Sequence, residues 1–382
     1  VNRKHLFTMA LLAAVGVLAL SGIAHADGLQ DAIQEAITAG KVDAAAPVGY
    51  MGIPGAPQVN LLLGLIWAVW VGWIFSTVGA FGGIMASVGH ITIFGLGDYA
   101  SKSIGKKLTL NKIVTDSIRV SNQYLVGTSA ALSTFNYWKM GRLVLPLGVA
   151  LAVGSVSGSI LVPILSAGKI SLKMYLGWFG IFVLFLGCFL TWQLSPSGQR
   201  TQKKAKEAAK AFQDSVKKMK EGGEVDLSAQ GVRVKSFAPT RCVFTFFGVE
   251  FDFNPVIPVI GGFIIAALAS FLGVGGGFLL VPFLTSVAGL PMYLVAGTSA
   301  MAVLIGMASS IFSYMFLKNV PVQWSLIGAE LVGIVIGSLI GPRTSKYLPD
   351  RALKILFIVL AVYVGLRYTT KGFLGYSIVP PF

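Results

Sequence analysis

A glycine-rich run stated twice, inside stretches that are otherwise apolar, constrains this chain more than any other feature. Ser270-Phe271-Leu272-Gly273-Val274-Gly275-Gly276-Gly277 aligns position for position with Ser76-Thr77-Val78-Gly79-Ala80-Phe81-Gly82-Gly83. Each run is followed by a second shared sequence, Val295-Ala296-Gly297-Thr298-Ser299-Ala300 and Leu125-Val126-Gly127-Thr128-Ser129-Ala130. A glycine weakens a helix by about 1 kcal/mol relative to alanine, so both pairs predict helix interruptions. In hydrocarbon, interrupted backbone is tolerated only where it is buried in protein or lines a watery cavity. Matching interruptions in two halves point to a binding site between them.

The composition places those runs in a membrane. Hydrophobic residues make up 55% of the 382, and charged residues only 12%, against roughly 25% in soluble domains. Apolar runs recur through both halves, and a helical span needs about 20 residues. Alternating ten-residue strands are absent, so the expected class is an all-α polytopic membrane protein. The net charge of +15 does not indicate nucleic acid, because eleven Lys or Arg against five acids lie between Gln199 and Arg241. A basic segment beside spans is the mark of a cytoplasmic loop. Cys188 and Cys242 give no disulfide framework, and His5, His25 and His90 do not cluster. No metal or other cofactor is expected.

Asn2-Arg3-Lys4-His5, the apolar run Leu6 to Leu20 and Ala24-His25-Ala26 have the three parts of a signal peptide. Residues 1–26 are read as that peptide or as an uncleaved first helix, and 27–60 as a periplasmic segment with a short helix around Leu29 to Ala39. The first membrane repeat, 61–194, offers Leu61 to Val78, Ile84 to Phe94, Tyr124 to Trp138, Leu143 to Leu165 and Met174 to Trp192. The second, 255–370, offers Val256 to Leu272, Phe278 to Leu290, Tyr293 to Leu317, Trp324 to Ile340 and Ala352 to Leu366. Residues 371–382 form a tail. Gly154 with Gly158-Ser159 matches Gly333 with Gly337-Ser338 in the fourth segments. Small residues four apart read there as close helix packing.

Between the repeats, 195–254 is a basic cytoplasmic insert. Gln202 to Lys220 has a helical apolar face, suited to an anionic lipid surface or simply to water. Phe244 to Phe253 alternates around Gly248, as in a hairpin. The second segment of each repeat is short for a span and is expected to be a broken or half-helix. Letting both cross keeps the N-terminal segment outside and Lys139, Arg142, Arg343, Lys346, Arg351 and Lys354 inside. With five segments per half, the repeats are then inverted. Lys102, Lys106, Lys107, Lys112 and Arg119 resist this topology, since they fall in an outside loop.

Helix ends at a glycine break offer unpaired backbone N–H groups, which with the helix dipole favour anions. The expected cradle comprises Gly79, Gly82, Gly83, Gly127, Thr128, Ser129 and Asn136 from one half. From the other come Gly273, Gly275, Gly276, Gly277, Gly297, Thr298 and Ser299. Asn136, like Ser313 in the second half, could face this cradle or bind helices together. Glu330, inside an apolar run, is a candidate for proton coupling; the matching place in the first half holds Leu151. His90 reads as a packed histidine. There is no nucleophile–base constellation, and Gly273 to Gly277 lacks the Lys-Ser/Thr ending of a phosphate loop, so no enzyme is expected.

At Leu272-Gly273-Val274-Gly275-Gly276-Gly277-Phe278-Leu279-Leu280-Val281-Pro282, followed by Val295-Ala296-Gly297-Thr298-Ser299, the chain resembles the sulfite exporter TauE/SafE family, also called the toluenesulfonate uptake permease group. The first copy departs in having Phe81 where Gly275 stands and a longer spacer. The resemblance implies a multi-pass carrier of sulfite, sulfonates or related organosulfur anions in the bacterial inner membrane, more often an exporter. Its partners would be lipid and a small anion, with homo-oligomerisation left open. The alternatives are a carrier of another solute, or a membrane sensor or assembly factor acting through the basic insert.

Overall fold

A computed structural model describes residues 27–78, 81–139, 143–198, 233–238, 240–246, 249–286, 292–344 and 350–380. The signal-like start, the basic stretch Gln202 to Lys220 expected to be helical, Gly79, Arg142 and Lys346 lie outside the described residues.

The first half runs α1 (Asp27–Thr38), α2 (Leu61–Val78), α3 (Phe81–Val88) continued by a π-helical turn Gly89–Ile93, α4 (Thr109–Lys139), α5 (Leu145–Ser166) and α6 (Leu172–Leu194). The second runs α7 (Val256–Leu272), α8 (Gly277–Ser286), α9 (Met292–Phe312) with a π-helical end Ser313–Leu317, α10 (Trp324–Thr344) and α11 (Asp350–Phe373). Among the described residues, five helices are long and apolar enough to cross a membrane. As the sequence leads one to expect, α3 and α8 are short.

All-helical is too strong a description. The insert ends in an antiparallel sheet, β1 (Arg233–Phe237), β2 (Cys242–Phe246) and β3 (Val249–Phe253), in the order β1-β2-β3. The expected hairpin is β2–β3, pairing Phe244 with Phe251. Phe244 also packs against Phe253, while Lys235–Glu250 and Arg241–Asp252 pair on the exposed face. Period-two alternation makes a sheet wherever one face is covered.

A second correction concerns α4. Its apolar part predicts a helix from Tyr124, but the helix begins at Thr109 and has 31 residues, about 46 Å in length. Its first half is too polar for lipid, and it does not meet lipid. Asn111, Thr115, Asp116, Ser117, Arg119, Ser121, Asn122 and Gln123 are all buried. Exposed apolar side chains stud α2, α5, α6, α7, α10 and α11, whereas α4 contributes only Phe135 among the described residues. The polar helix is the axis and the apolar helices are its jacket. Arg119 therefore lies inside the bundle and no longer counts against the topology.

Glycines let the jacket close. A Cβ on Gly154 or Gly158 of α5 would stand 2.0 Å from Val259 O or 2.4 Å from Phe263 O of α7. On Gly333 or Gly337 of α10 it would stand 2.4 Å from Leu65 O or 2.1 Å from Val69 O of α2. Val259 and Phe263 are offset from Leu65 and Val69 just as Ser270 is from Ser76, so the two helix pairs repeat residue by residue. The small residues are packing residues, as expected. The fifth helices pack on each other antiparallel, with Gly177 of α6 beside Phe373 of α11 and Gly187 beside Ala361.

Gly337→Leu should be destabilising by about 1–3 kcal/mol, the usual range for overpacking, because backbone rather than a flexible side chain fills the space. Gly328→Ala, with nothing within 4 Å of its Cβ position, should leave the thermal midpoint of the detergent-solubilised protein unchanged. Equal midpoints for both variants would contradict this packing.

Candidate substrate site at the interrupted helices

Helix α7 stops within the bundle. Gly273 ends it in the left-handed region at φ 69°, Gly275 follows at φ 75°, and α8 starts at Gly277. Only glycine takes up both positions without strain. The stop leaves carbonyls at the end of α7 without intrahelical partners. Three side chains of the first half supply donors. Gln123 Nε2 donates to Ser270 O at 3.0 Å, Arg119 Nε to Phe271 O at 2.7 Å, and the Tyr175 hydroxyl to Leu272 O at 2.8 Å. Each buried acceptor left unpaired would cost about 1–3 kcal/mol.

Arg119 is the centre of this arrangement. Its Nη1 donates to Asp116 Oδ1 at 2.8 Å, and its Nη2 to Ser166 Oγ at 3.1 Å. The guanidinium lies 5.0 Å from the ring centroids of both Phe271 and Tyr314, within cation–π range. Asp116 Oδ2 in turn accepts from the Gly168 N–H at 2.6 Å. A fixed positive charge therefore sits beside the negative end of α7, where the helix dipole favours it.

The two glycine runs meet. A Cβ on Gly83 would stand 1.8 Å from Val274 O, so the first break lies directly on the second. Gly82 faces the Phe75 ring, Gly275 the side chain of Val126, Gly276 that of Ile265, and Gly277 that of Val303. The Gly-Thr-Ser sequences behave otherwise than expected. Gly127-Thr128-Ser129 and Gly297-Thr298-Ser299 lie within the continuous helices α4 and α9, because neighbouring helices support those turns. Gly127, Ser129, Gly297, Thr298 and Ser299 are buried, and Thr128 is half-buried. Thr298 Oγ1 accepts the Val144 N–H at 3.1 Å. Asn136 is exposed near the end of α4, away from the breaks, while the Ser313 hydroxyl donates to Ile160 O at 3.3 Å. Beside Gly276 the free space is about 10 Å³, one water at most. At Gly276 the second break therefore has no room for an oxyanion in this structure.

On another face of α4, His90 Nε2 stands 3.3 Å from Glu330 Oε2, with both side chains buried. The contact lacks hydrogen-bond geometry, and neither Glu330 oxygen has a hydrogen-bond partner among the described residues. His90 Nδ1 bonds Ala86 O at 3.1 Å, as a packed histidine does. Asn122 Nδ2 donates to Ser87 Oγ at 2.7 Å, and that hydroxyl donates to Gly83 O at 3.2 Å. A polar strand thus reaches from the Glu330 neighbourhood to the glycine break. Leu151, opposite Glu330 in the repeat, is packed in an apolar cluster.

Residues 63–368 match the sulfite exporter TauE/SafE family. The chain belongs to that family. It is 33% identical over 128 residues to a probable membrane transporter protein of Methanocaldococcus jannaschii, covering 31% of this chain and 48% of the relative. Probable membrane transporter proteins of two Xylella fastidiosa strains are 32% identical over 104 residues, covering 26% of this chain and 39% of each relative. The chain thus aligns with less than half the length of these relatives. No solved structure matches it.

Sequence reasoning missed Arg119, Asp116, Gln123 and Tyr175. The available signal was the polar run from Asn111 to Gln123, which continues without glycine or proline into the Gly-Thr-Ser helix. Arg119→Gln alone leaves a buried carboxylate uncompensated and should cost about 3–5 kcal/mol. Adding Asp116→Asn should restore most of that loss in thermal melts. A double variant no more stable than Arg119→Gln would contradict the pairing.

Proposed function

We propose that the protein is a secondary carrier of small sulfur oxyanions, sulfite or organosulfonates, across the bacterial inner membrane, working mainly in export. The observation that carries this reading is Arg119, a permanent cation held at a glycine break in a TauE/SafE family member. Guanidinium takes a pair of oxygens of one oxyanion bidentately, and the helix starts at the breaks, Gly277 of α8 and Gly82-Gly83 in the first turn of α3, add backbone N–H groups. The same reading takes Thr128, Ser129, Thr298 and Ser299 as hydroxyls available to the anion once the helices part. An inside-negative potential favours anion exit by about 2.3 kcal/mol per charge per 100 mV.

Inverted repeats are part of the proposal. The reciprocal pairing of α2 with α10 and of α5 with α7, together with the antiparallel packing of α6 on its counterpart α11, supports them. Such repeats alternate access by rocking about a central site, which fits a second break with no room for an oxyanion at Gly276. Glu330 is assigned to proton coupling. Among the described residues its oxygens have no hydrogen-bond donor, and they stand beside an imidazole from the other half; buried Glu and His side chains so placed mark proton relays in carriers.

Proteoliposomes with labelled sulfite and an imposed voltage test the function. Gly276→Leu should lower flux at least tenfold while the protein still inserts, and unchanged flux would count against the break as the site. Glu330→Gln should flatten the pH dependence of flux; a profile matching the parent would remove the coupling role.

A further inference from the structure

A cavity of about 460 Å³ opens among the ends of α1, α4, α5 and α9. Thr109 and Ile113 of α4, Gly168 just after α5, and Lys318 just after the π-helical end of α9 line it. Asp116 lines it too, although the residue is only 1% exposed. Its carboxylate has one oxygen on the Gly168 N–H, at the cavity wall, and the other on Arg119 Nη1. The order from the cavity inward is therefore Asp116, Arg119, then the carbonyl of Phe271 at the glycine break.

We propose that Asp116 is a resident counter-ion which the transported oxyanion displaces from Arg119, and that this cavity is the vestibule through which the anion arrives or leaves. The inference rests on the anion-carrier reading. Its physical basis is charge conservation at a buried site. Arg119 cannot shed its proton, and a buried charge deprived of its partner is strongly destabilising. An empty carrier therefore needs an anion of its own, and a loaded one must put that anion elsewhere. Asp116 meets both needs, because the cavity beside it has room for the released carboxylate and its water.

The rest of the Arg119 shell is suited to such an exchange. Phe271 O, Ser166 Oγ and the rings of Phe271 and Tyr314 hold the guanidinium from other sides, so it stays in place when one ligand is swapped. A sulfite or sulfonate group presents oxygens to the guanidinium fork as a carboxylate does. The cavity volume lies in the range of small-molecule sites. Lys318 is exposed and, among the described residues lining the cavity, is the only basic one, with Asp116 the only acid. A cation at the mouth raises the local concentration of anions.

The test compares the full chain with Asp116→Asn and Lys318→Glu in nanodiscs and proteoliposomes. Sodium sulfite and sodium ethanesulfonate are the probes, with chloride matched for ionic strength. Asp116→Asn keeps an acceptor for Gly168 but frees Arg119. It should melt below the parent in chloride, bind a probe at least tenfold more tightly, and gain more stability from it than the parent does. Lys318→Glu alters an exposed side chain and does not depend on the buried pair for folding. It should lower initial flux at least threefold at low ionic strength and converge on the parent at high salt, where exposed charges are screened. Parent-like affinity in Asp116→Asn, or parent-like flux in Lys318→Glu at low salt, would overturn the exchange. Should Asp116→Asn not fold, the Lys318→Glu flux decides. If the parent neither binds nor moves either probe, the carrier reading fails and takes the exchange with it. If the parent does both and the variants match it, the exchange alone fails.

Discussion

A helix that ends inside a bilayer protein exposes carbonyl oxygens where no water is at hand, and the rest of this structure is arranged around that constraint. At the end of α7, Ser270, Phe271 and Leu272 each give a carbonyl to a side chain of the first half: Gln123, Arg119 and Tyr175. Two of these come from α4, which must therefore be polar along its length and cannot face lipid. The apolar helices surround it for that reason. Arg119 in turn needs a counter-charge, which brings Asp116 one turn back on the same helix, and Asp116 ties in the end of α5 through Gly168. One interrupted helix thus accounts for the most unusual features of the interior.

Much of this was legible in the sequence. The duplicated glycine runs, the short second segments and the packing glycines of the fourth segments follow from periodicity and from what glycine permits. Leu61–Val78 and Val256–Leu272 begin and end where the apolar runs do, because lipid tolerates little else. The polar half of α4 was not legible as a buried helix. Hydropathy reports what faces lipid, whereas Thr115, Asp116, Arg119 and Gln123 are sheltered by other helices and satisfied by groups distant in sequence. The Gly-Thr-Ser sequences misled in the other direction. A glycine in a helix lowers its stability, but packing against a neighbour outweighs about 1 kcal/mol, and α4 and α9 run straight through them.

The pairing of Glu330 with His90 has the same origin. Each lies in an apolar stretch of its own half, and only the packing of α10 beside the π-helical turn after α3 brings them to 3.3 Å. Sequence singles out the carboxylate but cannot supply its neighbour. The two polar systems, one around Arg119 and one around Glu330, lie on different faces of α4, and Asn122 with Ser87 leads from the second toward Gly83. A movement of α4 relative to the glycine breaks would therefore be felt by both. Gly83 and Val274 pack backbone against backbone, so a movement of one glycine run displaces the other.

The central claim is that the anion binds where Arg119 meets the interrupted end of α7. The most direct measurement is to locate a heavy analogue. Crystals grown with selenite, an oxyanion shaped like sulfite, should give anomalous selenium density within hydrogen-bonding distance of the Arg119 guanidinium and beside the Gly273 to Gly277 break. Selenium bound elsewhere in the bundle, with Arg119 still paired to Asp116, would contradict the account.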